Sequence, residues 1–137
     1  MPYLLETSCL ISLIRGNRAT TARFLSLVAD GGLYTSVVAH AELLHGARRF
    51  SSIERRAQEA RAIAELVERL AGVLPIWGEL ADVYAQITAD LATRGLPIPS
   101  NDAWIAATAM AHDLVLVSED SHFARVPGLL VENWSAE

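Results

Sequence analysis

The stretch LPIPSNDAWIAATAMAHDLVLVSED, residues 96–120, decides the fold. Pro97 and Pro99 break the chain, since proline fixes φ and removes a backbone donor. Ser100 or Asn101 then caps an apolar helix running to about His112. Residues 114–117, LVLV, follow as an unbroken apolar run of strand length. A strand that is apolar throughout has no solvent-facing side, which places it in a parallel sheet covered on both faces.

The same reading extends outward. Residues 2–5, 33–36, 73–76 and 129–131 are further short apolar runs of strand type. Helical periods separate them. Thr7 and Ser8 cap a helix with Leu10, Leu13 and Ile14 on one face, and Phe24, Leu27 and Val28 follow before the turn Asp30-Gly31-Gly32. Residues 37–49 read as a helix with Val37, Ala41 and Leu44 on a common side. Ser51 and Ser52 open a longer one to about Leu70, with Ile63, Leu66, Val67 and Leu70 in register and Glu65 facing Arg69 one turn away. Leu80, Val83, Tyr84, Ile87 and Leu91 mark another helix before Gly95. Strands alternating with helices make the class α/β, a short, mostly parallel central sheet covered by helices.

Composition agrees with this. The chain has 137 residues, 52% hydrophobic and 20% charged, which is enough for one packed core and too apolar for disorder. No apolar run reaches the roughly 18 residues needed to cross a bilayer, and the N-terminus lacks a basic signal-like region, so a cytoplasmic location without membrane contact is expected. The net charge of −5 argues against a protein that coats nucleic acid through excess positive charge. It does not exclude an enzyme that meets phosphates through bound cations, which reverse the local field. All 11 basic residues are arginine, and Arg48, Arg49, Arg55, Arg56 and Arg61 cluster around one inter-helix turn. That cluster suits either a grip on RNA phosphates or a solvated helix end.

In a parallel sheet, chemistry collects beyond the carboxyl ends of the strands. Glu6 directly follows the first strand, and Asp120 comes three residues after the 114–117 strand with Ser118 between. Asp102 lies in the first turn of the helix after the prolines, and Glu42 sits within the apolar helix segment. Taken singly, Asp102 can serve the helix dipole, Asp120 a turn, Glu42 a polar helix edge and Glu6 a strand end. Brought together, four carboxylates repel unless a cation lies among them, and hard oxygen donors suit Mg²⁺ or Mn²⁺. His40, His45, His112 and His122 lack metal-ligand spacing and read as structural or surface residues. Cys9 reads as a small core residue, and Trp104 as core within its apolar helix.

Three segments carry a resemblance. MPYLLETSCLISLIRGN, VVAHAELLHGA and LPIPSNDAWIAATAMAHDLVLVSEDSHFARVPGLLVENW resemble PIN-domain proteins over essentially the whole chain, most closely the small VapC-type toxins of bacterial toxin–antitoxin operons. The resemblance implies a single three-layer α/β/α domain over residues 1–137. It also implies Mg²⁺- or Mn²⁺-dependent hydrolysis of RNA phosphodiester bonds, with Glu6, Glu42, Asp102 and Asp120 holding the metal. Thr7 and Ser118 would orient a carboxylate or bound water, and Asn101 would do so or cap its helix. Arg48, Arg49, Arg55 and Arg56 would contact RNA. The expected partners are a cognate VapB-type antitoxin, lying in a groove near the site, and a second copy in a homodimer or toxin–antitoxin hetero-oligomer. The apolar residues Leu10, Leu13, Phe24 and Leu27 suit contact surfaces for such assemblies and core burial equally well. Glu6 departs from the family pattern, where Asp is usual, and its extra methylene carries the carboxylate about 1.5 Å further. A PIN-like binding module with an impaired metal site and a small DNA nuclease are the alternative readings.

Overall fold

The computed structural model describes residues 2–136. Strands β1 (Tyr3–Leu5), β2 (Leu33–Ser36), β3 (Gly72–Leu74), β4 (Val115–Val117) and β5 (Val131–Glu132) form one sheet in the order β3-β2-β1-β4-β5. Every pairing is parallel, with Tyr3 opposite Leu33 on one side and opposite Val115 on the other. Helices α1 (Thr7–Ile14), α2 (Arg18–Leu27), α3 (Val37–Arg48), α4 (Ile53–Glu68), α5 (Leu80–Thr93) and α6 (Ser100–Ala111) flank it. β1 and β4 are buried at every residue, as their unbroken apolar sequences require of strands covered on both faces. The chain works outward from β1 in one direction through β2 and β3, then returns to lay β4 on β1's other side. The β1–β4 boundary is therefore the topological switch point, where the two flanking chain ends splay apart and leave a crevice.

Local chemistry sets the helix boundaries. Asn17, Ser36 and Ser52 cap α2, α3 and α4 by accepting from the amides of Thr20, Ala39 and Arg55 at 3.0, 3.0 and 3.2 Å. Before β2 the chain turns through Gly31 at φ 79°, a left-handed conformation open to glycine at no steric cost. The core is built from Leu4, Leu5, Leu10, Leu33, Leu80, Leu91, Ile105, Leu116 and Phe123, each fully enclosed. Burying a side chain of this kind contributes about 1.5–3 kcal/mol.

Several local expectations need correction. Glu6, not Thr7 or Ser8, is the N-cap of α1, its carboxylate accepting from the Ser8 amide. The residue before α6 is Pro99, which supplies no side-chain cap; Asn101 is exposed and, among the described residues, makes no side-chain hydrogen bond. On α3 the buried face is Ala39, Leu43 and Ala47, while Val37, Ala41 and Leu44 lie outside. The inner stripe runs at helical spacing from Ala39 through Leu43 to Ala47, offset from the stripe read through Val37, Ala41 and Leu44. Leu10 and Phe24 belong to the core and are not free for intermolecular contact. Arg69 lies over the Phe24 ring at 5.4 Å, and no ion pair joins it to Glu65 among the described residues. Trp104 is only half-buried and stacks on Tyr84 with ring centroids 4.0 Å apart. Cys9 is buried in the core.

Candidate metal centre at the sheet edge

The switch-point crevice brings the ends of β1 and β4 together. The Glu6 amide donates to the Val117 carbonyl at 3.0 Å and so prolongs the ladder by one residue, after which Glu6 turns into α1. Its carboxylate is buried, and three donors converge on a single oxygen. Oε1 accepts from the Ser8 amide at 3.0 Å, the Ser8 hydroxyl at 2.5 Å and the Ser118 hydroxyl at 2.7 Å. Ser8 in turn accepts from the Glu119 amide at 2.8 Å, and Ser118 from the Asp120 amide at 3.0 Å. Ser12 and Glu119 are also hydrogen-bonded, tying α1 to the loop after β4 a second time.

Asp102 and Asp120 meet a few ångströms away. Asp102 is buried in the first turn of α6, where the helix dipole favours its charge. Asp120 caps a short 3-10 turn, Ser121–Arg125, by accepting from the His122 amide at 2.9 Å. That turn is pinned by Phe123, which is wholly buried, and it swings the His122 ring between the two acids. Nδ1 lies 3.0 Å from Asp102 Oδ2 and 3.2 Å from Asp120 Oδ1. One ligating atom from each of Asp102, Asp120 and His122 falls within 4.8 Å of the others. His122, taken from the sequence as structural or surface, is thus a member of the site. The signal for it was the spacing Asp120-Ser121-His122 directly after a strand-end acid, which becomes meaningful only once the 3-10 turn is known.

Glu6 and Glu42 stand outside that trio. Glu42, half-buried on α3, accepts from the Thr7 hydroxyl at 2.8 Å, so Thr7 links the first acid's neighbour to the second acid. Ser8 joins Thr7 and Ser118 as a hydroxyl that holds a carboxylate, and sequence reading had given it only a capping role.

Electrostatics follow from burial. Desolvation holds the Glu6 carboxyl above its usual range; the Ser8 and Ser118 hydrogen bonds oppose this, and the charge of Asp102 adds to it. Asp102 is raised by burial as well, with the His122 hydrogen bond pulling it down and Asp120 pushing it up. Carboxylates in this condition are receptive to a cation, which compensates buried charge without a proton. Asp102, Asp120 and His122, two carboxylates and one imidazole, are a donor set that fits a divalent ion. The Cys9 thiol is pushed far above its ordinary range by burial and by Glu6 and Glu119, so it is inert as a nucleophile.

A groove of about 650 Å³ opens from Glu42 between α1, α3 and α4, lined by Ile11, Ile14, Arg15, Arg49 and Phe50 among others. Of the predicted arginines, Arg49 and Arg55 line it and Arg48 and Arg56 do not. Arg55 is committed to Glu59 at 3.1 Å and to the Phe50 ring at 4.4 Å, and Arg56 donates to the Phe50 carbonyl at 2.5 Å. Both therefore hold the α3–α4 turn. Arg15 is a groove residue that sequence clustering did not reveal.

The chain is similar to known proteins over nearly its whole length. A family model described as PIN domain matches residues 3–129. Ribonuclease VapC1 of Haemophilus influenzae (strain R2866) is 31% identical over 137 residues, spanning 98% of this chain and 99% of that protein. The tRNA(fMet)-specific endonuclease VapC of Shigella flexneri is 31% identical over 136 residues, spanning 98% of this chain and 99% of that one. Among solved structures, VapBC2 from Rickettsia felis, bound to a DNA fragment from its promoter, superposes with a TM-score of 0.89 at 25% identity, covering 98% of this chain and 99% of that one.

Proposed function

The chain belongs to the PIN domain family, and from that premise we propose that it is the toxin of a toxin–antitoxin pair, a divalent-metal-dependent endoribonuclease restrained by a VapB-type antitoxin. The observation that carries this reading is the switch-point crevice, where Glu6 is fixed by two serine hydroxyls beside Asp102 and Asp120. In this metal-dependent reading the attacking group is water rather than a side chain.

Glu6, Glu42, Asp102 and Asp120 would hold Mg²⁺ or Mn²⁺. When bound, such an ion neutralises charge on the scissile phosphate and acidifies the attacking water. Ser8 and Ser118 occupy Glu6 Oε1 and leave Oε2 as the oxygen for a cation. Thr7 does the corresponding work at Glu42 through Oε1. Positioned donors of this kind sharpen a metal site without adding charge to it. Glu6 keeps the α1 cap despite its extra methylene, which supports a working first acid. Asn101 is given no part.

RNA would approach over Arg49, and the antitoxin segment would occupy the same groove beside Glu42, so the two compete for one approach. We take residues 1–137 as one PIN domain, acting in the cytoplasm and assembling as a homodimer or with its antitoxin as a hetero-oligomer. No helix among the described residues is long and apolar enough to cross a membrane. A binding module with an impaired metal site and a small DNA nuclease are not favoured, since the full-length relatives are named as ribonucleases.

The test is cleavage of single-stranded RNA by the purified, antitoxin-free chain in Mn²⁺ and in EDTA, beside a Glu6→Asp version and a matched DNA. Cleavage in Mn²⁺ that EDTA abolishes, with DNA untouched, is the expected result. Cleavage by Glu6→Asp alone would make this chain a disabled toxin. Silence from both on diverse RNAs would reject the nuclease reading.

A further inference from the structure

We propose that His122 is a metal ligand of this chain, supplying Nδ1 to a cation shared with Asp102 and Asp120, and that it tilts the site toward first-row transition ions over Mg²⁺. The inference rests on the metal-dependent reading above and deepens it at one residue.

Geometry comes first. Neighbouring ligand atoms around an octahedral ion with bonds of roughly 2.1 Å lie about 3.0 Å apart. Nδ1 stands 3.0 Å from Asp102 Oδ2 and 3.2 Å from Asp120 Oδ1, two edges of that size meeting at one nitrogen. The same spacing serves a shared N–H in the absence of metal, and a cation placed among the three atoms takes over from that proton.

The ring is also held rather than free. Its own amide is bound to Asp120 Oδ1 at 2.9 Å, and Phe123, the next residue, is sealed in the core. Asp120 is thus gripped at one oxygen by both the backbone and the ring of the same residue. Asp102 comes from α6 and Asp120 from the loop after β4, so His122 is the side chain that spans the two elements. A ligand set on packed elements needs little reorganisation to bind.

Donor chemistry then sets the preference. Mg²⁺ is hard and takes oxygen, whereas an imidazole nitrogen raises affinity along the series Mn²⁺, Co²⁺, Ni²⁺. Carboxylates alone discriminate weakly among these ions, so replacing His122 would compress the selectivity and leave a site still able to bind Mg²⁺.

The decisive measurement is pulsed electron paramagnetic resonance of Mn²⁺ added to the full chain, with His122→Gln and His122→Asn beside it. A directly coordinated nitrogen coupling in the parent, absent from both variants, is expected. Calorimetric titration with Mg²⁺, Mn²⁺ and Co²⁺ should show the variants losing about tenfold or more in Co²⁺ affinity, less in Mn²⁺ and least in Mg²⁺. If neither variant folds, nuclear magnetic resonance of the four histidine rings of the parent decides, since substoichiometric Mn²⁺ should broaden the His122 ring first. Mn²⁺ bound without nitrogen coupling would overturn the assignment of His122 while the carboxylate site stands. Failure of all three ions to bind the parent would overturn the metal reading and this inference together.

Discussion

Two carboxylate environments share one sheet edge and are stabilised by opposite means. Glu6 sits in a pocket of neutral donors: one amide and two hydroxyls on a single oxygen. Asp102 and Asp120 lean on an imidazole that can carry charge or coordinate. The difference lies in the kind of partner, since burial leaves both Glu6 and Asp102 raised. Neutral donors fix where a buried acid points without bringing a compensating charge. The serine pocket is therefore an aiming device, and the histidine side is where charge can be balanced by the ring or by a cation.

Breaking the charge-balanced side should have the largest effect. Asp102→Asn removes a buried carboxylate whose contribution to transition-state charge is several kcal/mol, so RNA cleavage in Mn²⁺ should fall by about 10³-fold or more. A rate within tenfold of the parent would place catalysis elsewhere. The aiming side comes next. Ser118→Ala and Ser8→Ala each remove a donor to Glu6 Oε1, and Mn²⁺ affinity by calorimetry should drop about 10–100-fold with the fold retained. An unchanged affinity in both would mean that the serines serve the loop and not the acid.

Smaller still is the effect of the raised carboxyls on stability. Between the ordinary carboxylate pKa and the raised value, native Glu6 keeps a proton that the unfolded chain has released. Stability from this source is complete below that window and is lost as pH rises through the folded pKa. Glu6→Gln should then melt a few degrees higher than the metal-free parent at neutral pH, with the gap closing on acidification or on adding Mn²⁺ to the parent. A gap that widens toward low pH would reverse the assigned sign. Last, Arg55→Ala removes a groove-lining side chain whose contacts are with Glu59 and Phe50, and should lower stability by less than about 1 kcal/mol in denaturant titration while Mn²⁺ affinity holds. A large loss of affinity would extend the site into the groove.

Much of the architecture was readable because its strands declare themselves. LVLV and YLL have no polar face, so a parallel sheet between helices is the one environment that suits them, and the acids directly after them are carried to its carboxyl edge. Helix faces were less readable. On α3 Val37 and Leu44 lie outside while Ala39, Leu43 and Ala47 lie inside, because alanine is too weakly apolar to mark the buried stripe and apolar residues occur on both faces. His122 was hidden for another reason. Its place beside Asp102 depends on a 3-10 turn and on α6 lying next to that turn, and neither has a periodic signature. Asn101 erred the opposite way: a good capping residue stands one position inside a helix that Pro99 starts without a cap.

The pairing of β1 with β4 also governs when this chain becomes dangerous. Glu6 and Ser118, whose hydroxyl completes its surroundings, lie 112 residues apart in the sequence. A contact between residues so far apart closes late, and a parallel sheet cannot complete its central pair without it. During synthesis the crevice thus stays unfinished until β4 has emerged and paired with β1, so the candidate metal centre and the closed sheet arrive together.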